Sequence, residues 1–187
     1  MSERSRCGAA ALVPLALALC LPAGLAASAE AETCGGGTLW VRFVESAPRD
    51  RFELEASDAF AGSVSGLVID LAGSAGALVF DTEPGGEGLE VFQPFRSEGA
   101  SAGVEATVGA FAGDGATRID IALKGLGASG RYAFSIDVDD TLVASELGRI
   151  RVAGAEIGGA TVAVRLDGAA DPVVAAFDAD ATATLCP

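Results

Sequence analysis

The chain has 187 residues, a formal net charge of −14, no histidine, and hydrophobic side chains at half of its positions. So acidic a surface repels nucleic-acid phosphates and anionic lipid headgroups, which excludes both as partners. The hydrophobic half excludes an acidic disordered tail, and the missing histidine excludes Ser-His-Asp and Cys-His catalysis.

At the N-terminus, Arg4 and Arg6 precede an apolar stretch from Ala9 to Ala27. Ala27-Ser28-Ala29 then supplies the small-x-small pattern that signal peptidase accepts. This predicts a signal peptide over residues 1–29 and one domain over residues 30–187. An uncleaved anchor is the weaker alternative, because Pro14 and Pro22 interrupt a run of only about 18 residues, marginal for spanning a bilayer. Cleavage leaves 10 basic and 25 acidic residues, since Arg4, Arg6 and Glu3 depart with the leader. Cys7 and Cys20 leave too. Cys34 and Cys186 remain, and two thiols in an oxidising compartment predict one disulfide. The expected location is exported, periplasmic or extracellular, with no integral membrane segment after cleavage.

After the leader, short alternating runs follow one another. Leu39, Val41 and Phe43 alternate with polar or exposed positions, as do Phe52 and Leu54. Leu67, Ile69 and Leu71 share a face; Leu78 with Phe80 and Leu89 with Val91 come next. Val104, Ala106 and Val108 form a weaker run. Its alanines suggest helix, but Gly103, Gly109 and Gly113 oppose one. Ile119, Ile121 and Leu123 precede the clearest strand, Tyr132, Phe134, Ile136 and Val138. Ile150 with Val152, then Val162 to Leu166, Val173 to Phe177 and Thr182 to Leu185 complete the series. Period-two alternation means one buried face and one wet face. About a dozen such runs at roughly 10-residue spacing predict an all-β fold, a two-sheet antiparallel β-sandwich of immunoglobulin or jelly-roll type.

Three motif matches fail for physical reasons. Gly99-Ala100-Ser101-Ala102-Gly103 has the letters of a nucleophile elbow but no histidine base. Gly125-Leu126-Gly127-Ala128-Ser129-Gly130 fits a dinucleotide fingerprint, yet a strand follows where a helix is required, so a glycine-rich hairpin explains it. The glycine-rich stretch from Gly85 resembles one copy of a calcium β-roll, which needs stacked copies. A two-carboxylate glycosidase would also want aromatic platforms, and Trp40 and Tyr132 are the only Trp and Tyr. No catalytic residue and no organic cofactor is assigned, so the chain is read as no enzyme. Phe92 and Phe95 flank Pro94, whose missing N–H marks a strand edge or end. They read as caps of the core, or as an exposed contact.

One chemical candidate stands out. Ser135-Ile136-Asp137-Val138-Asp139-Asp140-Thr141 is the densest acidic segment. On a strand, Asp137 and Asp139 share a face, opposite Ile136 and Val138. Like charges there invite a hard cation, which makes Asp137, Asp139 and Asp140 the candidate calcium ligands. Asp81, Glu83 and the Asp167/Asp171 loop are further oxygen donors. The alternative is a solvated strand end in an acidic protein.

Several longer phrases occur in a characteristic order. They run from Val41-Arg42-Phe43-Val44-Glu45-Ser46-Ala47-Pro48-Arg49-Asp50-Arg51-Phe52 through Ile69-Asp70-Leu71-Ala72-Gly73-Ser74-Ala75-Gly76 and Val79-Phe80-Asp81-Thr82. Val91-Phe92-Gln93-Pro94-Phe95, Phe134 to Leu142 and Gly154-Ala155-Glu156-Ile157-Gly158-Gly159-Ala160 continue the order. Together they resemble the bacterial exported proteins labelled aggregation factor core, after a sponge cell-adhesion proteoglycan. The resemblance covers nearly all of the chain after the leader. It implies an extracellular adhesion or aggregation module, calcium-dependent in the animal protein, with a cell-surface glycan or protein as partner. Relatives place a cysteine after the Arg-Phe segment, where Ala56 to Ser63 has none, so the pairing of Cys186 with Cys34 departs from the family pattern. The competing expectation is a periplasmic or secreted accessory protein that binds a small ligand or partner and aggregates nothing.

Overall fold

The computed structural model describes residues 34–46, 49–86, 88, 91–142 and 151–187. The chain divides into two units, Met1–Glu32 and Thr33–Pro187. The first unit and the expected signal peptide lie outside the described residues.

In chain order, the strands are β1 (Leu39–Val44), β2 (Arg51–Ala56), β3 (Val64–Asp70), β4 (Leu78–Asp81), β5 (Arg96–Ala100), β6 (Glu105–Phe111), β7 (Arg118–Leu126), β8 (Arg131–Ser135) and β9 (Asp137–Asp140). A helical turn α1 (Gly154–Ile157) precedes β10 (Thr161–Leu166), β11 (Val173–Ala176) and β12 (Thr182–Leu185). A front sheet has the order β12-β1-β2-β8-β5, a back sheet β11-β10-β3-β7-β6, and a separate ribbon pairs β4 with β9. Every pairing is antiparallel. This is the expected two-sheet sandwich, with the ribbon added.

The alternation sets which side chains fill it. Leu39, Val41 and Phe43 of β1 and Phe52, Leu54 and Ala56 of β2 turn inward. From the back sheet, Leu67, Ile69, Ile119, Ile121, Val162 and Val164 meet them in one buried cluster. Phe52 is its centre, stacked on Phe134 at 5.1 Å and tilted against Phe43 at 5.2 Å. Burying each such side chain stabilises the fold by about 1.5–3 kcal/mol.

Pairing of Leu39 with Leu185 brings the two ends of the domain together. Cys34 and Cys186 form a disulfide there, with Cα atoms 4.9 Å apart and a sequence separation of 152. Cross-linking so long a loop removes about 5 kcal/mol of unfolded-chain entropy in the loop-closure model.

The structure departs from the sequence expectations in four places. β5 has no apolar alternation and all five of its residues are exposed. Backbone pairing with β8 alone makes it a strand, at a sheet edge where Arg96 and Glu98 discourage further pairing. The run Tyr132 to Val138 is two strands, because the chain leaves the front sheet at Ile136, whose N–H bonds the Asp50 carbonyl at 3.1 Å. The Gly125–Gly130 segment joins β7 of the back sheet to β8 of the front sheet, so it is a crossing between layers and no hairpin. Leu89 and Ile150 lie outside the described residues; Val91 and Val152 are in no strand, and Val152 is buried beside α1. Phe95 caps the core by stacking on Phe134 at 5.3 Å, while Phe92 stays exposed. Ser101 to Ala112 is strand β6 with its flanking turns, as the glycines required.

Candidate functional site

Two regions concentrate charge. The first is the β4–β9 ribbon. Its register sets Asp81 opposite Asp137, and Val79 opposite Asp139. Facing residues of an antiparallel pair share a side, so Asp81, Asp137 and Asp139 line one face of the ribbon. Phe80 and Val138, facing each other, turn the other way into the core. Asp140 pairs with Leu78 and belongs to that opposite face. It accepts the Leu142 N–H at 2.5 Å. The structure therefore keeps Asp137 and Asp139 together, separates Asp140 from them, and adds Asp81.

A fourth carboxyl comes from before β2. Asp50 accepts the N–H of Val138 at 3.1 Å and of Ser46 at 3.4 Å. Asp114 stands beyond Asp81 and accepts the N–H groups of Thr82 and Glu83 at 2.7 and 3.1 Å. Glu83 itself is exposed, and so are Asp167 and Asp171, which lie in the β10–β11 connection where Asp167 bonds Ser63.

None of this is a solvated strand end. Asp50, Asp81, Asp137 and Asp139 are each 5% exposed or less. Among the described residues, neither oxygen of Asp81 nor Oδ2 of Asp137 meets a hydrogen-bond donor. Removal from water pushes the Asp137 carboxyl up to about 8, and the charges of Asp139, Asp50 and Asp81 add to the shift. Asp81 rises to about 7, from burial first and then from the Asp139 and Asp114 carboxyls beside it. Asp50 also reaches about 7 by burial, although the Val138 and Ser46 N–H groups pull it down. At neutral pH such a cluster cannot be fully ionised. Among the described residues no group of three or more acidic side chains is placed to hold a metal ion. Protons shared between neighbouring carboxyls are the compensation the arrangement offers.

Glycine closes this region for a reason the β-roll likeness hides. A Cβ on Gly88 would strike the Asp81 carboxyl, and one on Gly86 would strike that of Asp114.

The second region is the outer face of the front sheet. Trp40 and Arg42 of β1, Arg51, Glu53 and Glu55 of β2 and Arg131 of β8 point outward by alternation. A groove of about 500 Å³ crosses the strands here, with Arg42, Glu53, Glu55 and Arg131 along it. Ala133 and Gly99, neighbours in the ladder, form its floor. A shallow depression at Trp40 shares Arg42, Glu53 and Glu55 with it. Arg131 pairs with Glu55 at 2.7 Å and Arg51 with Glu53 at 2.5 Å. At one end, Glu98 accepts the Ser135 hydroxyl at 2.6 Å and faces Arg49 at 3.5 Å, which holds its carboxyl below the usual range. Arg42 lies opposite Glu53 in register but makes no ion pair among the described residues. These residues were in view in the sequence only as the polar half of ordinary strands. Their convergence depends on strand order, which alternation does not specify.

Comparison with known proteins finds no matching family model, no matching curated protein and no matching solved structure. No helix among the described residues is long and apolar enough to cross a membrane. The disulfide fits an exported protein.

Proposed function

We propose that the protein is an exported, non-enzymatic binding module of the adhesion or aggregation type, acting through the outer face of its front sheet. One observation carries this. Arg42, Arg49, Arg51, Arg96 and Arg131 gather on that face, against Glu53, Glu55 and Glu98. On the back sheet, Arg118, Lys124 and Arg165 are matched by Asp70, Asp120 and Glu105. An otherwise acidic molecule thus offers one cation-rich surface, open to solvent and crossed by a groove. Exposed charge of this kind steers encounter and fixes register with a partner. The resemblance to the aggregation factor core proteins supplies the adhesive side of the proposal, as analogy.

The proposed role does not depend on calcium: Asp140 faces away from Asp137 and Asp139, and among the described residues no group of three or more His, Cys, Asp or Glu side chains is placed to hold a metal ion. The test is a strain lacking the protein, complemented by wild type or by an Arg42→Glu, Arg131→Glu variant. Clumping and biofilm should fall in the deletion and return only with wild type. Unchanged clumping in the deletion strain contradicts adhesion and favours the accessory-protein alternative.

A further inference from the structure

We infer that the groove across the front sheet binds a short acidic saccharide, with a uronate carboxylate on Arg42 and a pyranose face against Trp40. The inference deepens the binding-module proposal and rests on it.

The direction of the groove argues for sugar over peptide. An extended peptide docks by adding a strand, through free backbone groups at a sheet edge. Here the groove runs mainly over β1, β2 and β8, whose backbone groups are committed to ladders on both sides, and reaches the edge strand β5 only at Gly99 and Ala100. Over β1, β2 and β8 side chains, not free backbone groups, face the ligand. They alternate in kind: Arg42 and Arg131 donate, while Glu53 and Glu55 accept. Vicinal sugar hydroxyls both donate and accept, and such a row satisfies them in either role. The floor of Ala133 and Gly99 gives a flat bed without projecting side chains. Trp40, half-buried at the far end, offers a ring face for the apolar side of a pyranose. Two strand spacings separate β1 from β8, about 10 Å, so the recognised unit is a few sugars long.

The acidic character follows from Arg42. Arg131 and Arg51 already have carboxylate partners, at 2.7 and 2.5 Å. Arg42 has none among the described residues, so an incoming carboxylate displaces no ion pair there. A guanidinium matches a carboxylate with two parallel N–H donors. Because the protein is acidic elsewhere, a long polyanion is repelled beyond the groove, which favours short or sparsely charged chains.

Trp40 is the only tryptophan, so its emission reports on the depression that shares Arg42, Glu53 and Glu55 with the groove. The experiment titrates the exported protein with trigalacturonate and with its fully methyl-esterified form, which removes the carboxylate charges and adds one methyl group per sugar. We expect a saturable emission change with trigalacturonate and an affinity about tenfold lower for the ester, the size of one charge-assisted contact. Arg42→Gln should bind both sugars with the weak affinity of the ester. Gly99→Leu should abolish binding without lowering the melting temperature, because a Cβ at Gly99 has no atom within 4 Å. Absence of any saturable change, equal affinity for acid and ester, or binding retained in Gly99→Leu each overturns the assignment. If the sugar fails to bind while wild-type protein still restores clumping, the groove ligand is wrong and the adhesive role stands.

Discussion

The outer face of the front sheet and the β4–β9 ribbon both gather carboxylates, yet the two environments give them opposite properties. Glu53, Glu55 and Glu98 sit in water beside arginines and make exposed ion pairs. Asp81, Asp137 and Asp139 are shut away with one another and with Asp50, and burial drives up the proton affinities of Asp50, Asp81 and Asp137. Charge in the first region is available to a ligand. In the second it is a cost carried inside the fold, lowered by protons. Residue type alone picks out the ribbon; burial and neighbours leave the charge on the sheet face as the charge open to solvent.

The sharpest way to break this contrast is Asp137→Asn. It removes a carboxyl whose ionised form is disfavoured while keeping the shape. At pH 8.5 the variant should melt higher than wild type by roughly 5 °C, or about 2 kcal/mol for a chain of this size. At pH 5, where the wild-type group is protonated, the gap should close. A lower melting temperature at pH 8.5 would mean that the ionised carboxylate is needed, as in an ion site.

Asp50→Asn should behave differently despite similar burial. Its two oxygens accept the N–H groups of Val138 and Ser46, and an amide has only one acceptor. Losing one of these bonds offsets the relief of charge, so the net change at pH 8.5 should be within about 1 kcal/mol. Thermal unfolding of both variants side by side measures the difference.

The smallest effect should come from the surface. Arg131→Gln breaks an exposed pair with Glu55 and should change stability by no more than about 0.5 kcal/mol, and by less in high salt. A change of several degrees in melting temperature would mean that the front-sheet pairs hold the fold together and are not free for a ligand.

The sandwich itself was readable from sequence because alternation reports burial directly: Phe52 and Leu54 against Glu53 and Glu55 leave little choice of face. The disulfide was readable because only two cysteines, Cys34 and Cys186, lie beyond residue 29. β5 was not, since Arg96 to Ala100 has no pattern and becomes a strand only by pairing with β8. The acidic segment was found, but its partners were not. Asp50 and Asp81 lie far from Asp137 in sequence and meet it only because the chain turns out of the front sheet at Ile136. Reading Asp140 with Asp137 and Asp139 followed sequence proximity, whereas the strand period puts neighbours on opposite faces. The groove was hidden for the same reason as the cluster, because it is assembled from β1, β2, β8 and β5 by strand order.

Proton uptake by the buried ribbon carboxyls is tested most directly by thermal unfolding of the wild-type protein from pH 4.5 to 9, in chelator and in millimolar calcium. Asp81, Asp137 and Asp50 rise from an ordinary value of 3.8 to between about 7 and 8 in the folded protein. The unfolded chain releases these protons near pH 4 and the folded one only near pH 7–8. The stability they confer is therefore full below about 4 and lost as pH rises through that interval. The melting temperature should fall steadily from pH 5 to pH 8.5 and follow the same curve with calcium as with chelator. A melting temperature flat in pH, or one raised by calcium at pH 8, would contradict the claim.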